Sequence, residues 1–154
     1  MKDILFCEYS GNSMPVPNLD KTECFKIIQT MDESGKVTIG KRVYPMTHGG
    51  LYFIDGSDEL ILCSENMSDC IINQIIISKS YIERLADLLE FADLLPNIFP
   101  KNNGFYVPLK NNKGVTGRFK RMCRHFEKPE EYSKARITTD IIALINYAVY
   151  MITK

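Results

Sequence analysis

Gly40-Lys-Arg-Val-Tyr-Pro-Met-Thr-His-Gly-Gly-Leu-Tyr-Phe-Ile54 is the stretch that decides the fold, because it sets short apolar runs directly beside tight turns. Arg42-Val-Tyr44 and Leu51-Tyr-Phe-Ile54 are β-type runs, and the proline and two glycines between them favour a corner. The same alternation extends outward on both sides, from Phe25 to Ile77. Short strands at such regular spacing predict a small β-sandwich or barrel.

This order of strands and turns resembles the N-terminal effector-binding domain of AraC-family transcription regulators, over roughly Glu23 to Leu95. The matching features are an apolar strand followed by Gly35, a strand followed by Gly40, a strand with Tyr44, the Pro45 to Gly50 corner, and Leu51-Tyr-Phe-Ile54. The resemblance implies an α+β fold: a cupin-like double-stranded β-helix, or jelly-roll barrel, followed by two to three C-terminal α-helices. It also implies a domain that senses a small-molecule effector, such as a sugar or metabolite, and that forms a homodimer largely through helices after the barrel.

We expect residues 1–154 to form a single sensor and dimerisation domain. Residues 1–20 are predicted to be an N-terminal arm, residues 21–78 the β-barrel, and residues 79–154 the helical part. The arm is expected either to close the barrel mouth or to form an ordinary edge strand. The C-terminal DNA-binding domain of the family is absent from these residues. We therefore expect either a portion of a longer regulator or a stand-alone sensor, with DNA contact only through that further domain.

Composition narrows the class of protein. A chain of 154 residues suits one domain, and its formal net charge of zero argues against a free-standing nucleic-acid binder. Its five cysteines include no C-x-x-C pair, which favours free buried thiols. No apolar run approaches membrane-spanning length, and the N-terminus lacks a signal-peptide pattern. These features predict a reduced, cytoplasmic protein that does not contact a membrane.

Three helical segments follow the strands. Ser80-Tyr-Ile-Glu83 fits a capping box and opens a helix that we expect to run to Leu95. A second apolar stripe spans about Lys113 to Phe126, and a third helix is expected from Pro129 to about Ile152. Thr138-Thr139 leaves open a break within the third helix.

A barrel of this size can hold one small ligand, and alternate strand residues share a face. The residues predicted to line it are Ile27, Gln29, Tyr52, Ile72 and Gln74. The two glutamines stand among apolar residues. If their side chains face inward, they need hydrogen bonds from protein, water or ligand. The alternatives are that both glutamines face solvent, or that side chains fill the barrel.

No metal, cofactor or catalytic group is predicted, so we expect the protein not to be an enzyme. The cupin resemblance implies a metal set of two histidines and a glutamate on one strand and a later histidine. The strand Thr22 to Met31 has no histidine, and the later position offers only Asp58 and Glu59. His48 lies in the corner and His125 on a helix. Two alternatives stay open: a cupin-type enzyme acting on a sugar or small metabolite, and a ligand-free dimerisation module.

The last helix is apolar on most faces, which favours an interface. The predicted dimer-interface residues are Ile141, Leu144, Ile145, Tyr147 and Ala148. Burial between the barrel and the helix Ser80 to Leu95 is the competing explanation, and coverage by a further domain is another.

A basic cluster lies before and along the second helix, formed by Lys110, Lys113, Arg118, Lys120, Arg121 and Arg124. Contact with nucleic acid or with an acidic partner is one interpretation. Because the net charge is zero, we favour the other, the solvated face of an amphipathic helix.

Overall fold

The structure, a computed structural model, describes residues 1–12, 16, 18–65 and 70–154. In these ranges there are eight strands: β1 (Ile4–Gly11), β2 (Cys24–Thr30), β3 (Gly35–Ile39), β4 (Arg42–Pro45), β5 (Leu51–Asp55), β6 (Leu60–Ser64), β7 (Ile72–Ser78) and β8 (Phe105–Val107). The α-helices are α1 (Lys79–Leu88), α2 (Leu95–Ile98), α3 (Lys113–Glu127) and α4 (Ser133–Thr153). Single 3₁₀ turns occupy Lys21–Glu23 and Ala92–Leu94.

The strands form two antiparallel sheets, which confirms the α+β class. The larger sheet has the order β1-β7-β2-β5-β8 and the smaller one the order β4-β3-β6. Within the described ranges no ladder joins the two sheets, so the closed jelly-roll barrel expected from the resemblance is not found. Residues 21–78 also do not contain the whole β part, because β1 comes from the predicted arm and β8 from the predicted helical part.

The five-stranded sheet separates two apolar cores. Its first face packs against the helices, where Ile27, Phe53 and Ile75 meet Phe119 and Leu144. Its second face packs against the three-stranded sheet, and there the core consists of Ile28, Val37, Ile39, Met46, Tyr52, Ile54, Cys70 and Ile72. The molecule therefore has three layers, with the large sheet in the middle.

The predicted arm contains an edge strand, β1 (Ile4–Gly11). β1 pairs with β7, and its register shifts twice, between Ile4 and Phe6 and between Glu8 and Gly11. Asp3 attaches the start of β1 to α4, because its Oδ2 accepts a hydrogen bond from Lys134 Nζ at 2.6 Å. The opposite edge of the sheet, β8, is only three residues long.

The first predicted helix differs from the observed one at both ends. α1 begins at Lys79, and its N-cap residue Ser78 makes no side-chain capping bond, so the capping box predicted at Ser80 and Glu83 is not formed. The helix ends at Leu88, since Glu90 has a left-handed φ of 64°. The predicted run to Leu95 is therefore divided into α1, a 3₁₀ turn and α2.

The helices α3 and α4 are joined by a buried carboxylate. Asp140, only 2% exposed, accepts from Arg121 Nε and Nη2 at 3.0 and 2.7 Å and from Arg118 Nη1 at 2.8 Å. Asp140 thereby pairs with two members of the basic cluster and fixes how α4 packs on α3. This explains part of the cluster without a nucleic-acid partner.

Contrary to the expectation that no apolar run approaches membrane-spanning length, α4 is long and apolar enough to cross a membrane by length and composition, and it is the single described helix that meets these criteria. Core helices of soluble proteins meet the same criteria. Here α4 carries the paired Asp140 and packs Ile137, Ile141 and Leu144 into the core.

Replacing Asp140 with alanine tests the contribution of the carboxylate to stability. Loss of the carboxylate leaves Arg118 and Arg121 without their shared partner, so we expect a decrease of roughly 2–4 kcal/mol in the free energy of unfolding. Urea unfolding followed by circular dichroism measures this change. Asp87→Ala, at an exposed position of α1, is the matched control and should change the free energy little. Equal effects of the two substitutions would contradict a special role for Asp140.

Candidate functional site

The five residues predicted to line one ligand site lie on opposite faces of the large sheet. Ile27 belongs to the core on the helix side, whereas Tyr52 and Ile72 belong to the core between the sheets. The register explains this division, because Ile28 rather than Ile27 lies opposite both Tyr52 and Gln74. The predicted set therefore does not surround a single cavity. Ligand binding by these residues stays a prediction.

Gln29 lies on the helix side and is completely buried. Its Oε1 accepts from Asn73 Nδ2 at 2.9 Å and from Thr116 Oγ1 at 3.2 Å, and its Nε2 donates to the Gly49 carbonyl at 3.4 Å. Asn73 Oδ1 in turn accepts from the Ser10 amide at 2.8 Å. The protein itself thus supplies the partners that a buried amide needs. This network connects β1, β7, α3 and the corner after β4.

One end of the space between the sheets is filled by tyrosines. Tyr52 is completely buried and stacks on Tyr106, with a ring-centroid distance of 4.8 Å. Its hydroxyl donates to the Pro45 carbonyl at 2.7 Å, and burial raises the pKa of Tyr52 above its ordinary value. Tyr44 packs against both rings, so no room is left for a ligand beside Tyr52.

The other end of this space is open. A cavity of about 200 Å³ lies there, here called the sandwich cavity. On one side it is bordered by the 3₁₀ turn Lys21–Glu23, β2 and β7, and on the other by the start of β6 and the turn before it. Residues of the N-terminal connection also border it. Its lining residues are Val16, Leu19, Lys21, Lys26, Asp58, Glu59, Leu60, Ile72, Gln74 and Ile76.

Lys26 gives the sandwich cavity its chemical character. It is the one residue of β2 that is not fully buried, and it lies opposite Ile54 and Ile76 on the neighbouring strands. Among the residues that the structure describes, the five ion pairs use Lys79, Arg84, Arg118, Arg121 and Lys134 as their cations, so Lys26 has no carboxylate partner there. Burial lowers the pKa of Lys26 below its ordinary value; Cys24 opposes this effect, and the nearby charge of Lys21 adds to it.

Two nearby aspartates are held by other groups. Asp58 Oδ2 accepts from the Asn102 amide at 2.8 Å. Asp55 forms an ion pair with Lys79 at 3.1 Å; burial opposes its ionisation, but hydrogen bonds from Ser57 and Lys79 hold its pKa below the ordinary value. Gln74, which also lines the cavity, donates from Nε2 to Glu8 Oε1 at 3.4 Å.

The histidines and acids do not assemble into a metal site in the part of the chain that is described. No group of three or more His, Cys, Asp or Glu side chains there could hold a metal ion. His125 Nδ1 lies 3.2 Å from Ser133 Oγ at the junction of α3 and α4, while His48 lies in the corner after β4. Asp58 and Glu59 line the cavity without a histidine beside them.

The predicted dimer-interface residues are part of the core of the protomer, which corrects that prediction. Ile141, Leu144, Ile145 and Ala148 are at most 1% exposed, and Tyr147 is partly buried against the same core. The physical reason is that α4 is surrounded on several sides, by α3, α2 and β8. The stripe formed by Ile141, Leu144, Ile145 and Ala148 is therefore covered within one chain, and homodimer formation itself stays a prediction.

Lys26 is not among the residues predicted to line a site, although its position in the sequence carries a signal. A lysine interrupts the apolar run Cys24-Phe25-Lys26-Ile27-Ile28. In a strand covered on both faces such a charge needs either a partner or a function. Leu19 and Leu60 were also missed, because only the folded chain brings their segments beside β2.

No protein-family model and no curated protein matches this chain. Its function is therefore inferred from the geometry of the described residues and from the strand-and-turn pattern.

Replacing Lys26 with methionine should stabilise the protein at neutral pH. Because the folded-state pKa of Lys26 is lowered, the unfolded chain binds more protons between that pKa and the ordinary value of 10.5. The wild type should therefore gain stability relative to Lys26→Met as the pH rises through this window. The difference in stability between the two proteins should be largest at pH values below the window. Melting temperatures of both proteins at pH 7 and pH 10 measure the effect.

The control for this substitution is Lys36→Met, at an exposed position of β3. It should show no such pH-dependent difference. A Lys26→Met variant that melts below the wild type at pH 7 would show that the ammonium group has a stabilising partner.

Two substitutions in α4 separate core from surface. Leu144→Glu buries a charge and should lower the free energy of unfolding by roughly 3 kcal/mol or more, whereas Tyr150→Glu, at a position 62% exposed, should change it by less than about 1 kcal/mol. Thermal melts and light scattering on both variants are the measurements. A Leu144→Glu protein that stays folded but has half the wild-type mass would place Leu144 at a dimer interface after all.

Proposed function

We propose that this chain is the effector-sensing and dimerisation domain of an AraC-type transcription regulator, and that its effector is a small organic anion held between the two sheets. The observation that carries the proposal is Lys26, a lysine without a partner among the described residues that faces the sandwich cavity. The strand-and-turn pattern from Glu23 to Leu95 supports the family assignment.

Within a lining that also contains Asp58 and Glu59, it is Lys26 that favours a carboxylate. An ammonium group in a partly dry site is stabilised by an anion, and such charge-assisted hydrogen bonds are stronger than neutral ones. The side-chain amide of Gln74 lines the same space and offers further polar contact, while Leu60, Ile72 and Ile76 offer apolar surface to a short hydrocarbon chain. The volume of about 200 Å³ lies below the roughly 300–1,000 Å³ of sites for drug-sized ligands, which favours a metabolite of few carbons.

Two structural connections support a sensing role. Val16 and Leu19 border the cavity, so an occupied cavity would contact the connection between β1 and β2. β2 also belongs to both cores: Lys26 faces the cavity on one side, and Gln29 contacts Thr116 of α3 on the other. A ligand at Lys26 can therefore bias the packing of α3, and through Asp140 that of α4.

Dimerisation remains part of the proposal, on a surface other than the buried stripe of α4. The residues that α4 exposes toward its C-terminal end include Asn146, Tyr150 and Met151. DNA contact is assigned to a further domain, because Arg118 and Arg121 are occupied by Asp140.

The test is a ligand screen on the purified chain at pH 7. Short mono- and dicarboxylates, hydroxy acids and sugar acids are compared with their uncharged amides and with neutral sugars, by thermal shift and then by calorimetry. We expect at least one carboxylate to raise the melting temperature and to bind once per chain, with its amide inactive. Lys26→Met should weaken binding by roughly 10- to 100-fold, the range of a charge-assisted hydrogen bond. Lys36→Met should bind normally.

Each contrary result has a definite meaning. Equal binding to wild type and Lys26→Met would contradict the anion site. The absence of any stabilising ligand would favour the dimerisation module, and consumption of the bound compound would favour an enzyme. Affinity should also fall as the pH rises toward the pKa of Lys26, because the anion binds the protonated amine.

A further inference from the structure

Two thiols meet where the edge strand β1 packs against α3. Cys7 lies on β1 and Cys123 on α3, and they are 4% and 7% exposed. Cys123 Sγ lies 3.9 Å from the Cys7 carbonyl oxygen across a sequence separation of 116, and it donates to Glu127 Oε1 at 3.3 Å. No disulfide joins Cys7 and Cys123 in this structure.

A surface groove leads to Cys123. This cavity of about 450 Å³, here called the basic groove, is lined by Tyr9, Lys120, Cys123, Arg124, Glu127 and Lys128. Its lining holds three cationic side chains and one carboxylate. An anionic molecule that enters the groove therefore approaches Cys123 in a favourable field.

The two thiols differ in how easily they ionise. A hydrogen bond from the Cys7 side chain, and not the contact with the Cys7 carbonyl, lowers the pKa of the Cys123 thiol, although burial and Glu127 oppose this effect. The same contact between the two side chains, together with burial, raises the pKa of the Cys7 thiol. Cys123 is thus the thiol that forms a thiolate first, and the thiolate is the reactive species in thiol–disulfide exchange.

We propose that Cys123 and Cys7 form a modification site for a small anionic disulfide of the glutathione type, with Cys123 as the attacking thiol and Cys7 as the resolving one. The Cys123 thiolate attacks one sulfur of the disulfide, which breaks that S–S bond, forms a mixed disulfide on Cys123 and releases one small thiolate. Cys7 then attacks Cys123 Sγ, and its proton goes to the second leaving thiolate. Overall, two protein thiols are oxidised to one disulfide and one small disulfide is reduced to two thiols.

Exposure alone would select a different cysteine. Cys63, on β6, is the exposed one, whereas Cys24 and Cys70 are buried. Burial raises the pKa of Cys24. Cys63 is therefore the internal control: its modification would show that solvent exposure, and not binding in the basic groove, determines which cysteine reacts.

The experiment treats the reduced 154-residue chain with oxidised glutathione in a neutral buffer, without denaturant. Remaining thiols are alkylated, and peptides are mapped by mass spectrometry before and after addition of dithiothreitol. We expect a Cys7–Cys123 disulfide that dithiothreitol reverses. Because this bond closes a long loop, the melting temperature should rise by on the order of 10 °C.

Variants assign the roles of the two thiols. Cys7→Ala should accumulate glutathione on Cys123, and Cys123→Ala should leave Cys7 unmodified. Cys63→Ala should form the internal disulfide as the wild type does. Uncharged hydroxyethyl disulfide should oxidise the pair several-fold more slowly than glutathione disulfide at equal concentration.

Contrary results are equally direct. If Cys63 alone is modified and both Cys7 and Cys123 alkylate fully, the proposal is wrong. If Cys123 carries glutathione in the wild type and never passes it to Cys7, the resolving role is wrong. The peptide map of the wild-type chain gives both answers even if a variant fails to fold.

Discussion

The structure depends on one constraint: the central strands of the large sheet are covered on both faces. Every residue of β5 is buried, as are all but Lys26 of β2 and all but Ser78 of β7. Each strand therefore supplies two cores at once, and neighbouring residues along the chain belong to different ones. A charged side chain in such a strand has no solvated face to occupy. The charge of Lys26 therefore carries a cost in lost hydration.

The same constraint explains the buried polar network on the helix side. Gln29 and Asn73 lie directly opposite each other on β2 and β7, and both are completely buried. Their amides are bonded to each other, to Thr116 and to backbone groups, so their burial is compensated. The network stands where the edge strand, the central strands, α3 and the corner with Gly49 meet. Gly49 has a φ of 101°, and a side chain there would approach the Asn111 amide to 2.9 Å, so this junction requires glycine.

Several elements were predictable because their signals are local. The turns at Gly35, Gly40 and the Pro45 to Gly50 corner separate the strands as expected, and α3 begins at Lys113, where Asn112 Oδ1 accepts from the Val115 amide at 2.9 Å. The assignment of strand residues to a common face failed for a non-local reason. A strand buried on both faces loses the alternation that distinguishes its sides, and the register between β2 and β7 then decides which residues meet.

Closure of the barrel and the surroundings of α4 were also not predictable, because both depend on contacts between segments that are distant in the sequence. Whether two sheets join into a barrel depends on pairing between distant edges, and a helix that is apolar all round is compatible with an interface and with a crowded core alike. Here α2, α3 and β8 supply the surroundings. The buried carboxylate of α4, Asp140, lies outside the apolar half that begins at Ile141, and its two arginine partners lie on another helix.

The edges of the large sheet carry a consequence for how this molecule meets other chains. A strand that offers free amide and carbonyl groups in regular register is a template for strand addition by a neighbour, and long flat edges promote aggregation. β1 interrupts that template twice through its register shifts, and β8 limits it to three residues. Neither side therefore provides the continuous ladder that extension from one molecule into the next requires. Strand addition at the two edges of the large sheet is thereby disfavoured.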